Sequence, residues 1–425
     1  MRTRTCIVVA LIALGSWFQV VIAETWHIKP DGTGDAPTIN DAVVDASPGD
    51  TILLARGTFR GPGNFAITSG GMPMTFTSEA GPESTIIDCQ GLGPGFCMDS
   101  PYFVVISGIT VENGDGSELG YGGGIMGIRV IVTNCILRNN YVSGNGGGIY
   151  CWGPATVSKN LVVNNTAQVG GGIWFGENVV VTENTVIGNT AQVVGGGICG
   201  GSSSASSAAT VSRNTVKGNT AWHEAGGIAG SGYVVFAENV VSGNTAWAGA
   251  GILCGSKATF TNNLIYGNCA QERGGGILCD EPQAKILGNT VCENEAPQGA
   301  GIAFERDGDY ADVERTIVAF NRQGPGVECF DGIMPPMVFC CDIYGNEGGN
   351  AICAGEQEHN FSLDPQFCGI LGTGNYQLQS DSPCAPGNHP TGVDCGLIGA
   401  LPVICGAVEV QTKTWGSIKS LYKDE

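Results

Sequence analysis

Carboxylates and imidazoles are the first side chains to weigh for chemistry, and they are sparse where this chain is most regular. Hydrolysis of a glycosidic bond ordinarily needs two carboxyls at a defined separation, yet no aspartate stands between Asp115 and Asp280. The glutamates of that span include Glu177, Glu183, Glu224, Glu238 and Glu272. Glu183 and Glu238 share a repeat position with Lys159, Arg213 and Arg315, which reads as a solvated mixed-charge face. His223-Glu224 is the best pair for proton transfer, because imidazole titrates near neutrality, but neighbours on a loop need not converge. Arg306-Asp307-Gly308-Asp309-Tyr310-Ala311-Asp312 groups oxygen ligands of the kind calcium takes. It lacks the full spacing of a calcium loop and reads as a solvated turn. Nothing resembles a C-x-x-C zinc site. The sequence therefore assigns no catalytic residue, no metal and no cofactor.

Binding chemistry is better represented. Successive repeats place Gln168, Gln192, Trp222, Trp247 and Gln271 three residues after the second of two recurring asparagines. Two indoles one repeat apart, flanked by amides, offer sugar rings a stacking platform with hydrogen-bonding neighbours. In the alternative reading each indole packs on its neighbour and shields the edge of the core.

A period of 24 or 25 residues between residues 122 and 320 sets the elements that position these side chains. A first asparagine recurs at Asn134, Asn160, Asn184, Asn214, Asn239, Asn263 and Asn289, with Thr316 in the last copy. A second follows five residues later, from Asn139 and Asn165 through Asn189, Asn219, Asn244, Asn268 and Asn294 to Asn321. Three apolar rows accompany them. One runs from Ile131 and Val157 to Val313, one from Ile136 and Val162 to Val318, and one from Ile125 and Ile149 to Ile302. β-Branched rows suit pleated strands, and no copy is long or apolar enough for three helices.

One repeat alone cannot bury its apolar face, so neighbours must stack around a continuous core. Strands that return in one direction once per turn are parallel, and parallel crossovers are overwhelmingly right-handed. The expected fold is all-β: a right-handed parallel β-helix of three-strand coils, 24–25 residues each, with a short N-terminal capping helix. Asparagine tolerates the left-handed conformation of a tight bend, and stacked amides can bond along a column. Residues 201–209 lengthen one repeat to 30 and are expected to loop out of a single coil. A further row, Met126, Tyr150, Trp174, Cys199, Ala229, Leu253, Leu278 and Ala303, alternates with the inward isoleucines and should face outward. An exposed apolar ridge of that length marks an interface, unless the C-terminal segment covers it.

The ends add context. Arg2 and Arg4 precede an apolar run to Ile22, and Val21-Ile22-Ala23 offers a small-residue cleavage site, so residues 1–23 read as a secretory signal peptide. No later stretch is apolar for long enough to cross a bilayer. With 19 Lys and Arg against 39 Asp and Glu, the net charge is −20, and it reaches −22 once Arg2 and Arg4 are removed. Nucleic acid and anionic membranes are poor partners for such a chain. Residues 24–50 form the expected cap, where Ile39, Ala42, Val43 and Ala46 recur at helical spacing. The β-helix spans 51–325, irregular Cys-rich coils 326–405, and a tail 406–425. Cysteines cluster at Cys340, Cys341, Cys353, Cys368, Cys384, Cys395 and Cys405, where an exported chain can use disulfide staples. Cys254 and Cys279 hold equivalent places in adjacent coils, as a disulfide or as a reduced buried stack. Loss of Cys6 leaves an odd count, 17 cysteines, so at least one thiol is free or pairs between chains.

These residues resemble secreted bacterial proteins of the pectin-lyase-like, right-handed β-helix superfamily. DGTGDAPTINDAVVDASPGDTILLARGTF, residues 31–59, is similar to the N-terminal cap and first coil of many members. NNTAQVGGGIW, residues 164–174, resembles the repeats of polymorphic outer-membrane proteins, which are adhesins. DPQF, YQLQSDSPC and CGLIGA, within residues 363–400, resemble the closing portion of secreted β-helix proteins. The clustered aspartates that the resemblance implies for polyuronate cleavage cannot be built across the central coils. The Asp-Asp and Gly-His-Gly elements of polygalacturonases are missing, as are the downstream Asp and Arg motifs of pectin methylesterases. Residues after the repeats show no succession of alternating strands, so no membrane barrel is expected.

The leading expectation is a secreted or cell-surface, non-catalytic module that binds an extracellular polysaccharide or a surface protein in an adhesin-like manner, with Trp222, Trp247, Gln168, Gln192 and Gln271 as the ligand-binding residues. The alternative is a polysaccharide lyase or glycoside hydrolase using Glu and His. A second alternative is a structural, self-associating surface protein.

Overall fold

Like residues lie over like along the whole repeat. Val162 pairs in parallel register with Val186, Val186 with Val216, and Val216 with Val241. Ile149 pairs with Ile125 and with Ile173 in the same way. The computed structural model describes residues 23–280, 283–305, 311–330, 336–353 and 355–405. Residues 1–22 of the expected presequence, the acidic stretch 306–310 and the tail 406–425 lie outside the described residues. The chain winds as a right-handed parallel β-solenoid of about 15 turns. Among the described residues its strands form sheets of 22, 12 and 7 members and one small two-stranded pair.

Each central coil carries four short strands rather than three, although the sheets that form the solenoid's faces number three. In one coil these strands are Ile149–Trp152, Ala155–Ser158, Leu161–Val163 and Thr166–Val169. The first two belong to the large sheet and are separated by Gly153-Pro154. Proline has no N–H to offer a ladder, so the pairing breaks there. In the preceding coil the same path is one strand, Ile125–Thr133. The inward rows fill the axis, with Val157, Val162 and Ile173 fully buried and Phe236 stacked on Phe260 at 4.6 Å.

Both asparagine rows are ladders. The backbone N–H and Nδ2 of Asn189 both donate to Oδ1 of Asn219, at 2.9 and 3.0 Å, and Nδ2 also donates to the Val162 carbonyl at 2.9 Å. Asn219 repeats the pattern towards Asn244. Burial without a water shell demands such saturation of an amide, and one strand spacing, about 4.8 Å, lets each amide reach the next. Thr316 extends the other ladder by accepting from the Asn289 N–H at 3.3 Å.

Two expectations about these rows are corrected. The left-handed residue is the one before the ladder asparagine: Lys159, Glu183, Arg213 and Glu238 have φ of 54 to 58°. The ladder asparagine turns inward and the preceding side chain turns to solvent, which is why charged residues occupy that place. The first copy also sits one residue later than the spacing suggests. Cys135 donates its N–H to Asn160, Asn140 donates to Asn165, and Val132 and Leu137 pair with Val157 and Val162. Cysteine in a ladder position beside Asn134 disguised the register.

Helix α1 (Ile39–Asp45) caps the N-terminal region as its spacing predicts, burying Ile39, Ala42 and Val43. Thr38 starts it: the Asp41 N–H donates to Thr38 Oγ1 at 3.2 Å, and that hydroxyl donates to Asp41 Oδ2 at 2.8 Å. Strand Thr25–Ile28, within the expected cap, already pairs with Thr51–Leu54.

Disulfides join Cys329 to Cys353, Cys340 to Cys395 and Cys368 to Cys405. Among the described residues eleven cysteines are free, and Cys254 and Cys279 form a reduced, buried stack. The C-terminal segment does not cover the apolar row through Trp174. It lies on the outer face of the second sheet, where Phe367, Tyr376, Leu378, Cys384 and Ile398 pack on Leu264, Cys292, Ile317 and Ala319.

Candidate binding groove

The outward row of the large sheet is in register from Met126 through Tyr150, Trp174, Cys199, Ala229, Leu253 and Leu278 to Ala303. It is not one exposed ridge. Cys199 and Ala229 are buried against Ala225 and Val194, and Leu278 and Ala303 against Ala248 and Phe330. Its N-terminal part is aromatic and open. Tyr150 and Trp174 are one coil apart, with ring centroids 4.6 Å apart and planes within 8°. That separation matches the strand spacing, so the rings stack face to face along the solenoid axis. Tyr121 lies against Tyr150 at 4.7 Å, its plane tilted by 40°. Trp152 lies 5.5 Å from Trp174 at 15°.

Above Trp174 the column shrinks to Cys199, which with Ala225 and Ala229 packs on part of the half-buried indole. Above Trp152 come Gly176 and Gly201, and a Cβ at Gly176 would sit 2.7 Å from the Trp152 ring. The indole occupies the space that a side chain at Gly176 would fill. A groove of about 570 Å³ opens at this step. Trp152 and Trp174 wall one end, Gly201, Ser202, Ser231, Gly232 and Ser256 make the floor, and Glu177, Ser203, Tyr233 and Lys257 stand along the bend between the two strands of the sheet. From Trp174 to the level of Lys257 is three coil spacings, roughly 14 Å.

The serine-rich insertion shapes this bend. It does not loop away: Ser202 Oγ donates to the Ser204 and Ser207 carbonyls at 3.1 and 2.8 Å, and a 3-10 turn (Ala205–Ser207) folds it back. Ser203 then reaches Glu177, donating to its Oε1. Hydrogen bonds from Ser203 and Ser207 hold the Glu177 carboxyl below the usual range, so it is ionised at neutral pH. Lys257 lies over the Tyr233 ring, 5.2 Å from its centroid. Ring faces, hydroxyls and one charge of each sign fit stacking and hydrogen bonding to a polyhydroxylated ligand.

The residues named from the sequence lie elsewhere. Trp222 and Trp247 are on adjacent coils of the third sheet, whose strands pair at Thr220 and Thr245. They are 63% and 49% exposed, so neither is buried as a shield for the core. Trp247 Nε1 donates to Glu272 Oε2 at 2.7 Å. Gln168 and Gln271 are exposed and Gln192 is half-buried, on the same sheet. Neither a hydrogen bond nor an ion pair joins His223 to Glu224, which follow Trp222 on the bend. The charge row is as expected: Lys159 and Arg213 flank Glu183 at 3.8 and 3.5 Å. Among the described residues no three His, Cys, Asp or Glu side chains converge to hold a metal ion.

A family model described as "Right handed beta helix region" matches residues 197–365. The A-module of the Azotobacter vinelandii mannuronan C-5 epimerase AlgE4 superposes with a TM-score of 0.52 at 13% identity, covering 75% of this chain and 93% of that one. The chain is a right-handed parallel β-helix. Two further solved β-helices are similar to it. The Azotobacter vinelandii AlgE6 A-module reaches a TM-score of 0.48 at 15% identity, over 77% of this chain and 95% of that one. Pectate lyase Pel9A reaches 0.41 at 13%, over 89% and 96%. No curated relative matches the β-helix described here.

Sequence reasoning missed Trp152, Tyr233 and Lys257 because they lie at the strand bend, outside the rows that recur. The usable signal was local: the outward position that Trp152 fills passes to Gly201 and then Ser231 in later coils, beside the serine run.

Proposed function

We propose that this β-helix binds a polysaccharide in the groove beside Trp152 and Trp174, without cleaving it. The observation that carries this reading is the stacked Trp152–Trp174 wall standing over a floor of glycine and serine. Indole faces supply contact area at little entropic cost, and hydroxyls on the floor match those of a sugar. The groove lining contains one carboxylate, Glu177, already engaged by serine and ionised. The ordinary route to glycoside hydrolysis needs a second carboxyl across the ligand. The AlgE4 module, by its name a mannuronan epimerase, supports a polysaccharide ligand through fold alone. Three disulfides fit an oxidising, extracellular setting. The test is titration calorimetry of the whole chain against neutral and uronic-acid polysaccharides. Trp174→Ala should weaken binding by about tenfold or more, and unchanged affinity would remove the groove as the site.

A second contact is favoured by the exposure of Trp222 and Trp247, which offer a separate aromatic pair on the third sheet.

A further inference from the structure

The groove is walled at its N-terminal end. On the N-terminal side, Tyr150 and Trp174 are stacked ring on ring, Tyr121 leans on Tyr150 at a tilt of 40°, and Trp152 stands beside them with 44% of its surface exposed. These planes lie across the solenoid axis, because they repeat at the coil spacing. A ligand running along the axis therefore meets ring faces broadside. In the C-terminal direction the floor stays low, from Gly201 through Ser231 to Ser256.

We infer that the groove takes the end of a glycan chain rather than its interior. This rests on the polysaccharide reading above and adds to it the part of the polymer that is recognised. The terminal ring lies against Trp174 and Trp152 as the next layer of the aromatic stack, at the level of Cys199 and Gly201. An internal ring cannot take that place, because its onward neighbour would have to pass through the indoles. The following rings run over Ser202 and Ser231 towards Lys257, whose ammonium meets a hydroxyl or carboxylate about three coil spacings on, roughly 14 Å from the wall. A length of roughly 14 Å accommodates a short terminal run, so added chain beyond Lys257 brings no new contact within the groove.

The test counts protein molecules per ligand chain. Whole protein is titrated calorimetrically with size-fractionated mannuronan and with a neutral β-1,4-linked glucan series, each as short oligomers and as long polymer. Chains capped by O-methylation at the non-reducing terminus, or by an alkyl glycoside at the reducing terminus, are included. End recognition gives one protein per chain at every length, an affinity that levels off within a few rings, and loss of binding with one of the two caps. Stoichiometry that rises in proportion to polymer length, with both caps tolerated, overturns the inference while leaving polysaccharide binding intact. Binding that is absent from both series, or indifferent to Trp174→Ala, instead overturns the underlying reading and this inference with it. Val44→Ser, at an 83% exposed position on helix α1, should keep wild-type stoichiometry and serves as the control.

Discussion

The Sγ of Cys384 lies 3.2 Å from Oδ2 of Asp342, so the C-terminal segment rests its thiol on a carboxyl that the second sheet turns outward and the segment buries completely. The Leu363 N–H, 3.2 Å from Oδ1, is the other hydrogen-bond partner, and Asp364 adds like charge nearby. Burial pushes the Asp342 pKa up to about 7 against an ordinary 3.8. A carboxyl raised in this way favours the folded state while it stays protonated. Its contribution is full below the unfolded value and is lost as pH rises from about 4 to about 7. Urea midpoints should fall across that window and level off above it. In Asp342→Asn the slope should vanish, and the variant should be the more stable protein at pH 8.

Removing a ladder amide should cost far more than removing the bend residue beside it. Asn219→Ala strips the acceptor from the Asn189 N–H and Nδ2 and the donor from the Val186 carbonyl. The expected loss is about 3 kcal/mol or more. Asn164→Gly, at φ 55° on the surface, should change stability by less than about 1 kcal/mol. Equal losses in equilibrium unfolding would contradict the ladder account.

Gly176→Ala tests the end wall without touching an aromatic residue. The new Cβ would meet the Trp152 ring at 2.7 Å and must displace it. Tryptophan fluorescence should change and affinity in the groove should fall, with strand content by circular dichroism preserved.

The Cys340–Cys395 bridge ties the C-terminal segment to the solenoid across 55 residues of sequence. Cys395→Ser should destabilise that attachment by about 2–4 kcal/mol. Limited proteolysis should then cut within residues 361–405 while the central coils remain resistant.

The exposed pair on the third sheet is separable from the groove. A Trp222→Ala/Trp247→Ala variant should lose retention on immobilised polysaccharide yet bind short oligosaccharides in solution as the native protein does. Unchanged retention would remove the second contact.

The repeats announced the solenoid because each row answers one physical demand: an aliphatic for the axis, an amide for the ladder, a glycine where Gly147 and Gly148 approach neighbouring backbone. Their exact register was hidden only where Cys135 replaced an amide. The groove was not legible in the same way. Trp152, Tyr233 and Lys257 are singular residues at a bend, and a method that looks for what recurs passes over what occurs once. The C-terminal segment escaped for a related reason: its target, the outward positions Leu264, Cys292 and Ile317, is no more apolar than the outward Leu161 and Ile187 earlier in the same sheet.

The amide columns have a direction. Every member gives its backbone N–H and an Nδ2 proton to the amide that follows, so Asn346 must find an acceptor beyond the last regular coil. Asn346 finds it in Asn350, only four residues on, whose Oδ1 receives both its N–H and its Nδ2 at 3.0 Å. That short turn works as a chain terminator in a polymerisation. It closes the donors of Asn346 within the molecule, so that residue offers none onto which a second solenoid could crystallise end to end.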